Sequence, residues 1–130
     1  MPILVFVYGT LKKGYSNNHV LTRNGTAKLL SSNAAIRGKM YDLGPFPAVT
    51  AAMNEDDFVK GEIWEVSSKD LDRLDHLEGH PRFYIRVRVP LLSKHEGISK
   101  YQDVYTYLMP KSRLPKDVMP VPAGFWQPNK

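Results

Sequence analysis

The sequence of 130 residues contains no cysteine. This absence excludes a disulfide framework, a zinc site built from thiolates and a cysteine nucleophile. There is also no apolar run of about 18 residues, the length at which a transmembrane helix is indicated. Because a strand-like segment begins within the first few residues, we expect no cleaved signal peptide. We expect a cytoplasmic protein that does not associate with a membrane.

Three common catalytic signatures are missing as well. The histidines show no metal-ligand spacing, because Gly79 and Pro81 interrupt the helix that would align His76 with His80. Neither a phosphate-binding nor a dinucleotide-binding glycine motif follows a strand. No Gly-x-Ser-x-Gly elbow is present. We therefore expect no metal, no cofactor and no serine nucleophile.

Acidic residues are outnumbered, with 13 Asp plus Glu against 18 Lys plus Arg, for a net charge of +5. The basic residues are scattered, however, and no basic run exceeds two residues. Such a distribution is typical of a solvated surface and not of a stripe that follows a phosphate backbone, so we do not expect nucleic-acid binding. A hydrophobic fraction of 42% is that of an ordinary globular domain.

Strand-like segments dominate the chain. The continuous apolar run at residues 3–8 predicts a strand buried on both faces. Further strands are predicted at residues 27–30, 34–41, 48–52, 57–66, 83–92 and 103–109. A short helix capped by Ser16 is predicted, and one longer helix runs from a cap at Ser67 through apolar residues at helical spacing to Gly79.

Because the strands do not alternate regularly with helices, we predict an α+β fold and not a doubly wound sheet. The expected architecture is a small mixed β-barrel with one main helix and a central pocket. Residues 1–109 are assigned to the barrel. Residues 110–130, which hold five of the ten prolines, are assigned to a tail that packs on this domain or extends from it.

The first candidate site is the turn after the first strand. A buried strand that ends at Gly9 leaves successive backbone N–H groups without a ladder partner, and these can bind a carboxylate or an oxyanion. A glycine there lets a ligand approach the backbone closely. The alternative is an ordinary tight turn that carries a polar Thr10.

The second candidate is Glu78, at the end of the main helix. The helix dipole is unfavourable to an anion at this end, which raises the pKa of the carboxyl, as burial in a cavity also would. A carboxylate with a raised pKa is a better proton acceptor near neutral pH. The alternative is a surface glutamate.

Three further residues are candidates for supporting such a site. Tyr84 and Arg86 share one face of a predicted strand, and they offer a hydroxyl and a planar cation that suits carboxylates. Glu62 shares a face with apolar residues, so it is either paired or lies at a solvated edge. Arg86 could be the partner of Glu62 or of Asp75, or it could simply face solvent.

Four motifs, in this order and spacing, resemble those of the γ-glutamylcyclotransferase-like family. They are YGTLKKG at residues 8–14, GPFP at 44–47, GEIWEV at 61–66 and LDHLEGHPRFYIR at 74–86. The similarity extends over residues 3–109. It implies a small mixed barrel with a central cavity, in which a γ-glutamyl compound cyclises to 5-oxoproline and releases an amine.

The resemblance also implies roles for individual residues. Glu78 corresponds to the general acid/base of the family and Tyr84 to a tyrosine that lines the pocket. The γ-glutamyl group is expected to be bound by the turn formed by Tyr8, Gly9, Thr10 and Leu11. Small members of the family with this turn are most similar to γ-glutamylamine cyclotransferases. The leaving group stays open between an alkyl amine, the ε-amine of lysine, and an amino acid or peptide.

Since the nucleophile would be the substrate's own α-amine, the absence of cysteine and of a serine elbow agrees with this reaction. The alternative is a barrel that keeps the pocket only for binding or regulation, because a fold does not guarantee an activity. The only expected partner is a small γ-glutamyl substrate. The oligomeric state stays open, with a monomer as one possibility.

Overall fold

The structure is a computed structural model that describes residues 3–92, 98, 103–121 and 124–127. Its strands, in chain order, are β1 (Ile3–Val7), β2 (Lys28–Arg37), β3 (Lys39–Asp42), β4 (Pro47–Thr50), β5 (Phe58–Val66), β6 (Ile85–Val89), β7 (Val104–Leu108) and β8 (Met119–Pro120). Its helices are α1 (Asn18–Thr22), α2 (Ser68–Glu78) and a single 3₁₀ turn at Lys111–Arg113. The prediction of an α+β fold with one main helix is confirmed.

The strands form two sheets. The larger has the order β2-β5-β1-β7-β6 and the smaller has the order β4-β3-β8. In the larger sheet, β1 pairs antiparallel with β5 and parallel with β7. The amide of Met109 donates to the carbonyl of Val49 at 2.8 Å and so links the end of β7 to β4. The two sheets and α2 together surround the pocket described below.

Strand β1 lies at the centre of the molecule and is buried on both faces. Leu4 and Phe6 belong to one hydrophobic cluster, while Val5 and Val7 belong to a second cluster on the other face. Complete burial of an aliphatic or aromatic side chain of this kind stabilises a fold by roughly 1.5–3 kcal/mol. This strand therefore holds the turn that follows it, at Gly9, against a well-packed core.

Helix α2 begins and ends as predicted. Ser67 and Asp70 form a reciprocal capping box, in which each side chain accepts from the other residue's amide. At the other end, Gly79 has a left-handed conformation with φ 67°, and the amides of Gly79 and His80 donate to carbonyls of the last turn. These local features place Glu78 at the final helical position.

Three local predictions were wrong in detail. The first helix is not capped by Ser16 but begins at Asn18. The N-cap residue is Asn17, whose side chain makes no capping bond and donates instead to Thr10 Oγ1 at 2.9 Å. The strands predicted at 27–30 and 34–41 are divided differently, since β2 continues through two register shifts and ends at Arg37. The strand predicted at 83–92 is shorter, at Ile85–Val89.

The described residues beyond 110 contact the rest of the domain. Strand β8 pairs with β3. Further on, the Gly124 carbonyl accepts from the Lys60 amide at 2.8 Å, and Trp126 is 2% exposed. Within the described part of the chain, no helix is long and apolar enough to cross a membrane.

Candidate active site

A cavity of about 350 Å³ lies where the end of β1, the segment before β4 and the end of α2 meet. Six of the predicted site residues line it, and they are Tyr8, Gly9, Thr10, Leu11, Glu78 and Tyr84. These residues come from two regions separated by about 65 positions in sequence. The structure therefore brings the predicted turn and the predicted carboxyl to one cavity. Glu62 and Arg86 do not line it.

Glu78 presents a carboxyl group without a hydrogen-bond partner among the described residues. Burial raises its pKa from 4.5 to about 7. Its place at the C-terminal end of α2 acts in the same direction, because the helix dipole is unfavourable to an anion there. The protonated and ionised forms are therefore both populated near neutral pH, so this group can accept a proton and return it.

The turn after β1 has unused hydrogen-bond donors. Within the described residues, the amides of Gly9, Thr10 and Leu11 donate to no protein acceptor, although neighbouring groups of the same turn are bonded. The Thr10 carbonyl, for example, accepts from the Asn17 amide at 2.8 Å, and the Lys12 amide donates to Gly9. Successive free amides on a rigid turn can bind a carboxylate or a developing oxyanion.

Gly9 has no room for a side chain. A Cβ added at this position would lie 2.8 Å from Cδ and 2.9 Å from Cγ of Pro47, closer than real Cβ atoms approach other heavy atoms. Pro47 itself lines the cavity. The glycine thus permits close contact between the turn and the opposite wall.

Two tyrosines of the cavity use their hydroxyls to hold the backbone. Tyr8 Oη donates to the Tyr107 carbonyl at 2.6 Å, and Tyr84 Oη donates to the Pro47 carbonyl at 2.7 Å. Burial raises the pKa of both phenols, with a further contribution from the charge of Glu78. Both therefore stay neutral at physiological pH. The Tyr8 bond connects the end of β1 to β7, and the Tyr84 bond connects the residue before β6 to β4. Both rings form part of the cavity wall.

Sequence reasoning did not identify Tyr107, which also lines the cavity. Its hydroxyl donates to Asp75 Oδ1 at 2.7 Å, and the other oxygen of Asp75 lies 2.6 Å from Arg86 Nη1. Of the alternatives considered for Arg86, the pairing with Asp75 is therefore the one observed. The alternating tyrosines of β7 were the only signal for Tyr107, and nothing local places β7 beside β1.

Glu62 lies in the wall of a second, smaller cavity. Its Oε1 accepts from the indole N–H of Trp64 at 3.0 Å and from the Lys13 amide at 2.9 Å. At 9% exposure it is buried and hydrogen-bonded, so the solvated-edge alternative was wrong. Its contact with Lys13 holds the chain just beyond the turn.

No group of three or more histidine or carboxylate side chains that could hold a metal ion occurs in the described ranges. Among the residues of the described ranges that line the main cavity, the only charged side chain is that of Glu78. The mouth contains partly exposed apolar side chains, among them Leu77 and Phe83. The arrangement offers one proton-transfer group, a set of backbone donors and an apolar entrance.

Residues 5–128 match the model of a family described as gamma-glutamyl cyclotransferase, AIG2-like. A Danio rerio protein named gamma-glutamylaminecyclotransferase A is 38% identical over 117 residues, which cover 80% of this chain and 68% of that protein. A Drosophila melanogaster protein is 36% identical over 100 residues, covering 71% of this chain and 62% of its own length. The chain thus spans less than two thirds of that relative.

Solved structures share the fold. The crystal structure of an AIG2-like protein from Mus musculus superposes with a TM-score of 0.68 at 25% identity. The match covers 88% of this chain and 81% of the mouse chain. The common fold therefore extends over most of both chains.

Proposed function

Because this chain belongs to the gamma-glutamyl cyclotransferase, AIG2-like family, we propose that it converts a γ-glutamyl amine to 5-oxoproline and the free amine. One observation carries the proposal. The carboxyl of Glu78, with a pKa raised to about 7 by burial, lines the same cavity as the free amides of the turn at residues 9–11. This juxtaposition supplies a proton acceptor and donor beside a site for negative charge.

The proposed reaction needs no nucleophile from the protein. Ionised Glu78 removes a proton from the substrate's α-ammonium, and the neutral nitrogen attacks the δ-carbonyl carbon. A C–N bond forms and the carbonyl oxygen becomes an oxyanion, which the amides of Gly9, Thr10 and Leu11 stabilise together with the anionic part of the glutamyl group. Glu78 then gives its proton to the leaving nitrogen and takes the second proton from the ring nitrogen, which carries a positive charge after the attack. The oxyanion collapses, the bond to the leaving nitrogen breaks, and the released amine takes up the proton now held by Glu78, which is left ionised.

The cavity must also hold the substrate in a folded conformation, because the attack is intramolecular. When the site already holds two reacting groups in the right orientation, their conformational entropy is lost on binding and not in the reaction step, which lowers the barrier. The hydroxyls of Tyr8 and Tyr84 are bonded to the backbone, so their rings are fixed. We assign these rings the role of limiting the space in which the glutamyl chain can lie.

The charge of the cavity favours a leaving amine without a carboxylate. Of the described residues that line the cavity, Glu78 is the only charged one, and none of them is Arg or Lys. A carboxylate on the leaving group would lose solvation without an ion-pair partner, and it would face the negative charge of Glu78. The apolar residues at the mouth, including Phe46 and Leu77, suit an alkyl or aryl chain. The name of the Danio rerio relative supports the same substrate class.

The test is a comparison of three γ-glutamyl compounds whose leaving groups are butylamine, the ε-amine of lysine and the α-amine of alanine. We expect equal amounts of 5-oxoproline and free amine. The value of kcat/KM should be at least about 10-fold higher for the butylamine compound than for the alanine compound, because one unpaired buried charge costs ~1.4 kcal/mol or more, which corresponds to a factor of about 10. Release of free glutamate would indicate hydrolysis and contradict the proposal. Binding without turnover of any compound would favour a binding module instead.

A further inference from the structure

Lys12, directly beyond the proposed substrate-binding turn, is a buried cation that the mechanism above does not use. The residue is 3% exposed. Its Nζ donates to the Trp126 carbonyl at 2.9 Å, and it lies 4.0 Å from the ring centroid of Phe125 and 4.5 Å from that of Tyr15. Aromatic faces attract a cation at such distances. A buried lysine is unusual, so its partners call for an explanation.

These contacts connect two distant parts of the chain. The main-chain N–H of Lys12 closes the turn by donating to the Gly9 carbonyl at 3.1 Å, while its side chain holds the C-terminal segment at residues 124–127. Tyr15 adds a ring contact with Trp126, with centroids 6.0 Å apart. Glu62, which lines the same small cavity as Lys12, accepts from the amide of Lys13. The chain after the turn is thus held both by the C-terminal segment and by β5.

We propose that Lys12 is a positioning residue, whose ammonium group fastens residues 124–127 to the chain that follows the turn and thereby keeps the amides of residues 9–11 in their receptive arrangement. This inference rests on the proposed function, because it assigns the amides a role in binding the substrate. Lys12 itself does not line the main cavity. Its effect on catalysis is therefore indirect.

The charge of Lys12 makes this attachment dependent on pH. Burial lowers its pKa from 10.5 to about 8, and the charge of Glu62 opposes the shift. Among the described residues, the other titratable groups around the same small cavity are Lys60 and Tyr15. Above pH 8, Lys12 loses its proton, and the attraction to the two aromatic rings and to Glu62 is lost. The turn is then held without the attraction of the ammonium group.

The test compares Lys12→Met, which keeps the length of the side chain without its charge, with Lys12→Arg, which keeps a charge that does not titrate. We expect Lys12→Met to raise KM for the γ-glutamyl amine about 10-fold, because the variant loses one charge-assisted hydrogen bond. The change in kcat should be smaller. In the wild type, kcat/KM should decline above pH 8 beyond what the substrate amine causes. Lys12→Arg should not show this extra decline.

Hydrogen exchange of the backbone amides gives a readout that does not depend on turnover. In Lys12→Met, the hydrogen-bonded amides that hold the turn and the C-terminal segment, those of residue 12, Asn17 and Lys60, should exchange faster than in the wild type. Phe125→Leu should reproduce the effect if Lys12→Met does not fold. Wild-type KM and wild-type exchange in these variants would overturn the inference. If the wild type produces no 5-oxoproline, the proposed function fails, and the exchange experiment still decides whether Lys12 holds the turn.

Discussion

Arg86 Nη1 lies 2.6 Å from Asp75 Oδ2, and Tyr107 Oη donates to the other oxygen of the same carboxylate at 2.7 Å. The three residues come from β6, α2 and β7. Asp75 lies one helical turn before Glu78, so this network fixes the end of α2 against the sheet. The backbone carbonyl of Tyr107 also accepts from the hydroxyl of Tyr8, which extends the connection to the residue before Gly9.

We predict that Asp75→Asn lowers the free energy of unfolding by roughly 1.5–3 kcal/mol, the range for a hydrogen bond to a charged group. The value should lie towards the lower end, because both side chains of the pair are partly exposed. Urea unfolding followed by circular dichroism measures it. Asp72→Asn is the matched control on the exposed side of α2, with an expected change within about 0.5 kcal/mol. Equal changes in the two variants would contradict this account.

Gly9→Ala should reduce turnover more than stability. The added Cβ would push the turn away from Pro47, which it would otherwise approach to 2.8 Å. A displacement of about 1 Å at a reacting site can cost on the order of 100-fold in rate, so we expect kcat/KM to fall by 10-fold or more. Gly25→Ala is the control: its φ of +69° makes alanine strained, but it lies outside the cavity. It should cost roughly 1 kcal/mol of stability at wild-type activity.

Local sequence features predicted the parts of the site that depend on local structure. The apolar run before Gly9 identified a buried strand, and the cap at Ser67 with the glycine at Gly79 placed Glu78 at a helix end. Both conclusions follow from backbone preferences within a few residues.

Pairings between distant segments could not be predicted in the same way. Val5 on β1 pairs with Tyr105 on β7, 100 positions later, and only this parallel pairing brings Tyr107 to the cavity. Whether Arg86 pairs with Glu62 or with Asp75 also depends on tertiary structure. So does the contact between Lys12 and Trp126, for which no local pattern gives a signal.

The pH dependence of kcat/KM should report the ionisation of Glu78. Only the ionised carboxyl accepts the proton of the substrate, and burial raises its pKa to about 7. We therefore expect kcat/KM to fall with decreasing pH below 7 and to approach a tenfold loss per pH unit. Initial rates between pH 5 and 8 measure this. A profile that stays flat down to pH 5 is incompatible with the assigned base.

The same pKa has a consequence for stability. A buried carboxyl whose pKa is raised binds its proton more tightly in the folded state than in the unfolded state. The protonated group therefore contributes to the free energy of unfolding fully below the unfolded pKa of 4.5, and this contribution is lost as pH rises through about 7. Glu78→Gln removes this dependence. The free energy of unfolding of the variant minus that of the wild type should therefore be larger at pH 8 than at pH 5, by at most about 3 kcal/mol. Thermal unfolding at the two pH values measures the gain, and a constant difference would contradict the assigned pKa.

The central claim is that Glu78 transfers the protons of an intramolecular cyclisation, and the most direct measurement is 5-oxoproline formation by Glu78→Gln. Glutamine keeps the shape of the side chain but cannot accept the proton, so kcat should fall about 10²- to 10⁴-fold. Glu65→Gln, a strand glutamate outside the cavity, is the matched control and should retain wild-type activity. A Glu78→Gln variant that is folded and retains more than about a tenth of wild-type kcat, well above the loss expected for a general acid/base, would contradict the account.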